Sequence, residues 1–280
     1  MERYCDLHTH SVFSDGTYTP RQLLEEAEQK NLSAIALTDH NTVSGLPEFL
    51  SIAEEKKVEA IPGVEFSTDY NGNEMHILAL YLKTEYFGQV TAMMEDYNHR
   101  KDLSNADLVS KLNHAGYRID YNKIKASTPL GHVNRALIAA ELMNMGYVDS
   151  VQNAFKQLLS PKCGYYVPPR QYTPQEMLGF IRDLGAVSVL AHPYLSLKAD
   201  AVYPFLQDME PYGLMGMEVF YSTYDEATTA AAVAMADEFH LAYSGGSDFH
   251  GENKPDISLG EGRGGLRVPA AWAEKLKAMV

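Results

Sequence analysis

Cysteine is nearly absent from the chain: Cys5 and Cys163 are the only two in 280 residues. That excludes a small disulfide-stapled scaffold and, with no basic and apolar leader at the start, makes a reducing cytoplasm the expected location. Long apolar runs are missing as well. No stretch approaches the roughly 18 uninterrupted apolar residues that a spanning helix needs, so no membrane partner is expected. Positive charge is scarce, with 23 basic against 37 acidic side chains and a formal net charge of −14. A sequence-independent grip on duplex DNA relies on Lys and Arg neutralising phosphates, and this balance argues against it. An anionic substrate then needs a local positive centre, for which metal ions are the obvious source. Internal repeats, low-complexity tracts and flexible linkers are also absent. What is present, 45% apolar and 21% charged residues, is normal for a globular chain whose length accommodates one α/β barrel with an insertion.

Along the chain, short β-rich runs alternate with amphipathic segments. Strands are expected over residues 4–8, 33–38, 58–65 and 75–82, and again over 186–191, 215–220 and 241–244. Helices are expected between them, one opened by Thr19-Pro20 and ended near Asn31, one over 47–57 and one over 225–239. Such units imply a barrel or a doubly wound sheet. From about residue 87 to 184 the rhythm breaks into helix signals over 90–115, 133–145 and 150–159, with an extended connector over 163–171. Thr173-Pro174-Gln175-Glu176 forms a capping box that restarts the pattern. The expected organisation is therefore a barrel of residues 1–86 and 185–280 interrupted by a mainly helical, substrate-capping insertion of residues 87–184. Residues 260–265 read as a late surface loop.

The polar residues fall where such folds build sites, at or just beyond strand ends. Asp6-Leu7-His8-Thr9-His10 closes the first strand, and a period of two aims both imidazoles to one side. A lone His-x-His is weak evidence, but Asp15, His40, Glu65, His76, His192, Asp248 and His250 recur at or near other strand ends. Imidazole mixed with carboxylate and without thiolate suits zinc, iron or manganese rather than a structural cysteine cluster. Glu65 and Asp248, each with two oxygens, are suited to bridge neighbouring ions and to hold a bridging hydroxide. Metals roughly 3.5–4 Å apart clamp a phosphoryl oxygen and activate water, the logic of two-metal phosphatases. Asp6 and Asp39 are read as partners that orient neighbouring histidines, and Cys5 as a small buried hydrophobe.

These residues also resemble a known family, the PHP (polymerase and histidinol phosphatase) superfamily. The resemblance rests on Asp6-Leu7-His8-Thr9-His10-Ser11 with Ser14-Asp15-Gly16, Leu37-Thr38-Asp39-His40-Asn41, Pro62-Gly63-Val64-Glu65, Met75-His76-Ile77-Leu78, Leu190-Ala191-His192-Pro193 and Gly246-Ser247-Asp248-Phe249-His250. It implies a distorted (β/α)7 TIM-like barrel with three divalent ions. By resemblance, His8, His10, Glu65 and Asp248 hold the first, Glu65, His76 and His192 the second, and Asp15, His40 and His250 the third. The chain looks most similar to the stand-alone branch that dephosphorylates nucleoside 3′,5′-bisphosphates or trims short RNA through a metal-activated hydroxide. The family's insertion element Gly-Arg-Pro-His falls on Pro129-Leu130-Gly131-His132, so its arginine is replaced by Leu130. Arg100, His132, Arg135 and Arg170 are the candidates left for contacting substrate. Two alternatives remain open at this point: hydrolysis of a C–N bond, as in histidine-rich amidohydrolase barrels, and a catalytically silent metal-binding domain.

Overall fold

The computed structural model describes residues 3–126 and 133–280. They form two compact units, Met1–Thr91 with Tyr172–Val280, and Ala92–Gln171. The first contains eight strands: β1 (Tyr4–Asp6), β2 (Ala34–Leu37), β3 (Glu59–Tyr70), β4 (Asn73–Leu80), β5 (Val187–Ala191), β6 (Gly216–Tyr221), β7 (Ala242–Gly246) and β8 (Val268–Pro269). Their order is β7-β6-β5-β4-β3-β2-β1-β8. The ring is drawn nearly shut beside β1, where Leu7 N–H donates to Gly245 O at 3.2 Å, Asp248 N–H to His8 O at 2.9 Å and His10 N–H to Phe249 O at 3.0 Å. The architecture is the distorted TIM-like barrel expected from the motifs.

Two features depart from a run of parallel βα units. β3 and β4 form an antiparallel hairpin, and β4 is antiparallel to β5 as well. The turn is Asn71-Gly72, with φ of 54° and 83°, the pair best suited to two consecutive left-handed residues in a tight hairpin. The eighth strand, two residues long and antiparallel to β1, is too short for any periodicity to announce it.

Local signals elsewhere act as expected. Thr19 caps helix Pro20–Gln29 in a capping box with Gln22, and Thr173 caps Pro174–Asp183 with Glu176, each cap worth about 1 kcal/mol. Asn31 follows the first helix at φ 56°. Ala232 and Ala236 are the buried face of helix Glu226–Glu238. One buried apolar cluster ties β1, β2, β3, β4 and β5 to the last helix, Ala270–Lys277, through Cys5, Leu7, Ala36, Ile61, Leu78, Val189 and Leu276. Gly260 is not part of a free surface loop: it is buried, and its N–H donates to Asp6 Oδ2 at 2.7 Å.

The second unit has helices Tyr121–Ala126, Arg135–Asn144 and Val151–Ala154, and shares the long helix Phe87–His114. Tyr121–Ala126 has no counterpart among the helices expected from the residue pattern, and the helix expected over 150–159 changes to a π-helical turn at Phe155–Leu159. The unit has its own core, including Leu108, Leu112, Ile138, Leu142 and Leu159.

Candidate metal centre

β1 and its extension bring His8 and His10 to one face, their Nε2 atoms 3.1 Å apart. β2 ends at Leu37, and His40 three residues on forms a parallel bridge with Glu65 of β3. Glu65 is opposite Leu78 of β4, so His76 is its diagonal neighbour across the hairpin, within reach of a long side chain. His76 therefore joins from the amino-terminal half of an antiparallel strand, a correction to the expectation that ligands gather at carboxyl ends. His192 and Asp248 follow β5 and β7 in positive-φ conformations of 29° and 54°. Backbone held away from its ordinary basins is a mark of positions fixed for function.

Glu65 is the hub. Its Oε1 accepts from His76 Nδ1 at 2.8 Å and from His192 Nε2 at 3.0 Å. Its Oε2 is 3.0 Å from His40 Nδ1 and 3.2 Å from the Nε2 atoms of both His8 and His10. Asp248 Oδ1 is 3.2 Å from His10 Nε2, 3.4 Å from His250 Nδ1 and 3.6 Å from His8 Nε2. Asp15, with a half-exposed side chain, is 3.2 Å from His250 Nε2 and 3.8 Å from both His10 Nδ1 and His40 Nε2. All nine residues singled out in the sequence thus converge on one centre.

The donor set fits divalent metals on two counts. His192 Nδ1 is buried without a hydrogen-bond partner, and Glu65 Oε2 and His40 Nδ1, though 3.0 Å apart, are not aligned for a hydrogen bond, a cost that coordination would remove. Among the described residues, three groups have ligand atoms close enough to share an ion: His10, Asp15, His40 and His250; His8, His10 and Glu65; and His40, Glu65 and His76. Metal–ligand bonds of about 2.0–2.2 Å place neighbouring ligand atoms about 3.0–3.5 Å apart, close to the spacing seen here.

Electrostatics point the same way. Burial favours protonated, neutral carboxyls, yet the imidazoles around Glu65 and Asp248 hold both far below the usual carboxylate range. Burial likewise opposes charge on the histidines, but Asp248 and Glu65 lift His10 to about 9, and Glu65 and Glu74 lift His76 to about 10. His40 is lowered, burial and the neighbouring His10 outweighing Glu65 and Asp15. At pH 7 protons on His10 and His76 thus stand where cations would bind. Metal uptake should release them together with the proton that Glu65, Glu218 and Asp248 hold on His8, and apparent affinity should rise with pH from 7 to 9. Calorimetry in buffers of differing ionisation enthalpy measures the release; an affinity constant from pH 7 to 9 would contradict this.

Asp6 and Asp39 do not orient imidazoles. Asp39 accepts from Ser11 N–H, Ser11 Oγ and Ser14 Oγ, each at 2.7 Å, and so clamps the loop carrying Asp15. Asp6 accepts from Ser247 N–H at 2.9 Å, Ser247 Oγ at 2.5 Å and His8 N–H at 3.3 Å, pinning the approach to Asp248. Both hold backbone, which is why spacing alone misassigns them.

Three neighbours were not singled out by residue pattern. Glu218 Oε1 is 3.0 Å from His8 Nδ1, and Tyr221 Oη and Lys254 Nζ donate to Asp248 Oδ2 at 2.7 and 2.6 Å. The available signal was a glutamate inside the otherwise apolar strand Met215-Gly216-Met217-Glu218-Val219-Phe220.

His132 and the Leu130 element lie outside the described residues. Arg100 donates to Arg170 O at 2.8 Å and pairs with Asp96 at 2.9 Å. The Arg135 guanidinium is over the rings of Tyr166, at 4.3 Å, and Phe155, at 5.5 Å, and donates to Leu159 O. Its position is explained by packing inside the helical unit.

The PHP domain family matches residues 6–165. A 5′-3′ exoribonuclease of Haemophilus influenzae is 30% identical over 251 residues, covering 89% of this chain and 91% of that protein. A phosphoribosyl 1,2-cyclic phosphate 1,2-diphosphodiesterase of Eggerthella lenta is 30% identical over 276 residues, 95% and 99% of the two chains. A 3′,5′-nucleoside bisphosphate phosphatase of Chromobacterium violaceum is 25% identical over 256 residues, 90% of each. Among solved structures, a metal-dependent phosphoesterase from Bifidobacterium adolescentis superposes with a TM-score of 0.80 at 26% identity, covering 99% of this chain and 96% of that one.

Proposed function

The chain belongs to the PHP domain family and is a metal-dependent phosphoric ester hydrolase; from that premise we propose that it removes a phosphate from a small nucleotide of the nucleoside 3′,5′-bisphosphate kind or trims short RNA. The observation that carries the reading is Glu65, one buried carboxylate whose two oxygens face five imidazoles. Up to three divalent ions, zinc, iron or manganese, would be held by His8, His10, Glu65 and Asp248; by Glu65, His76 and His192; and by Asp15, His40 and His250. Bound there, they supply water activation at neutral pH and neutralise charge on a phosphoryl group.

The chain's own residues do the rest. Glu65 divides its two oxygens between the ligand groups. Tyr221 and Lys254 hold one oxygen of Asp248, which keeps the other turned to His8 and His10. Lys254, with a side chain 38% exposed, adds positive charge near solvent, where it attracts an anion into an otherwise acidic protein. The half-exposed Asp15 marks its group as the one nearest solvent. A third cation position suits a phosphate better than a neutral amide, which favours ester over C–N hydrolysis.

The test is a comparison of kcat/KM for a nucleoside 3′,5′-bisphosphate, the corresponding monophosphate, a short 5′-phosphorylated RNA and an aryl phosphate, before and after chelation. Chelation should abolish turnover and a divalent ion restore it. A charge-assisted contact to a second phosphate is worth about 1.5–3 kcal/mol, on the order of 10- to 100-fold in the bisphosphate-to-monophosphate ratio; Arg100→Ala and Arg170→Ala should erode that ratio while sparing the aryl ester. Equal efficiency on aryl ester and nucleotides would reject the nucleotide assignment, and full activity after metal removal would reject the metal centre.

A further inference from the structure

Each barrel strand from β1 to β7 has one of the nine candidate ligands on it or within a few residues of its carboxyl end, except β6, and β6 is buried against the centre all the same. We propose that β6 is the positioning strand of the site, and that Glu218 decides which nitrogen of His8 faces the metals. This rests on the metal-centre reading given above.

The ladder of β6 is irregular. Glu218 pairs with Ser244 of β7 and Phe220 with Gly245, so Val219 is an extra residue. In a regular strand residues 218 and 221 face opposite sides. A bulge re-aims the side chains beyond it, and here both reach the centre. Glu218 meets His8, and Tyr221 meets Asp248 and packs 5.3 Å from the ring of His192. Phe220, between them, turns instead to Trp272, with ring centroids 4.8 Å apart.

Glu218 is fully buried. A buried carboxylate is costly unless it is well hydrogen-bonded, and this one has two partners, both belonging to the centre. Oε1 is 3.0 Å from His8 Nδ1, and Oε2 accepts the backbone N–H of His192 at 2.7 Å. The first contact keeps a proton on Nδ1 and turns Nε2 toward Glu65 Oε2 and Asp248 Oδ1, the atoms with which it would share a metal. The second holds the positive-φ backbone of His192 in place. A carboxylate behind a metal-bound imidazole sets its tautomer and orientation, and its loss typically lowers metal affinity about 10- to 100-fold.

The experiment uses the full-length protein loaded with zinc and labelled with 15N-histidine. The expected spectrum shows His8 protonated at Nδ1 and metal-bound at Nε2. Glu218→Gln keeps the size but presents an amide with N–H donors of its own to these two N–H groups. It should lower zinc affinity about 10- to 100-fold and shift the His8 Nδ1 resonance, with the far-UV spectrum unchanged. Zinc bound through Nδ1 of His8 in the wild type overturns the proposal whether or not the variant folds, and so does a folded variant with wild-type zinc affinity. Wild-type protein that takes up no zinc, iron or manganese overturns the metal centre itself and this inference with it.

Discussion

Replacing Glu65 by Gln is expected to lower kcat/KM by roughly 10³-fold or more, with loss of bound metal measurable by elemental analysis. The side chain keeps its size, so packing is nearly unchanged, but the charge facing five imidazoles disappears. Two consequences add. An amide is a poor bridge between cations, so the metal groups that share Glu65 lose a ligand together, and each ion contributes several kcal/mol of charge stabilisation in the transition state. A loss of about 4 kcal/mol already corresponds to three decades in rate. The histidines also lose the counter-charge that lifts them, so the metal-free variant should bind fewer protons at pH 7 than the wild type. Near wild-type turnover with undiminished metal content would show that Glu65 is not the shared ligand.

The second large effect is expected at Gly246→Ala. A Cβ there would be 2.6 Å from His8 N and closer still to His8 Cβ. No side-chain rotation relieves the clash, because the neighbour is the β1 extension that carries two ligands. Overpacking of this kind costs about 1–3 kcal/mol, or a fall in Tm of about 2–4 °C per kcal/mol for a chain approaching this size. His8 must move with the strand, so metal affinity should fall together with stability. Gly265→Ala is the control: nothing lies within 4 Å of its Cβ, and the substitution should be nearly silent. A Gly246→Ala protein as stable as the wild type and fully metallated would mean that the barrel does not close between β1 and β7.

The contrast between these two sites shows how much was legible in the linear chain. Glu65 was visible because a carboxylate ending a β-rich run, in company with histidines ending others, has few structural explanations. The demand on Gly246 was not, because it arises from a neighbour 238 positions away in sequence. The helical unit offered less still. An arginine's partners cannot be seen in one dimension; in three, Arg100 is paired with Asp96 and Arg135 stacks on Tyr166.

By itself the amino-acid order determined the residue types of the candidate metal centre, their placement near strand ends, the Thr19 cap, the Thr173 capping box and the helix stop at Asn31, since each depends on chemistry within a few neighbours. Only the tertiary structure decided that β4 runs antiparallel and offers His76 from its amino-terminal half, that β6 bulges at Val219 to deliver Glu218 and Tyr221, and that Asp6 and Asp39 brace backbone rather than imidazole. The physical reason is range. Periodicity and capping are set by contacts one or two turns away, whereas strand direction, register and the partner of a buried carboxylate are set by whichever distant segment packs against it.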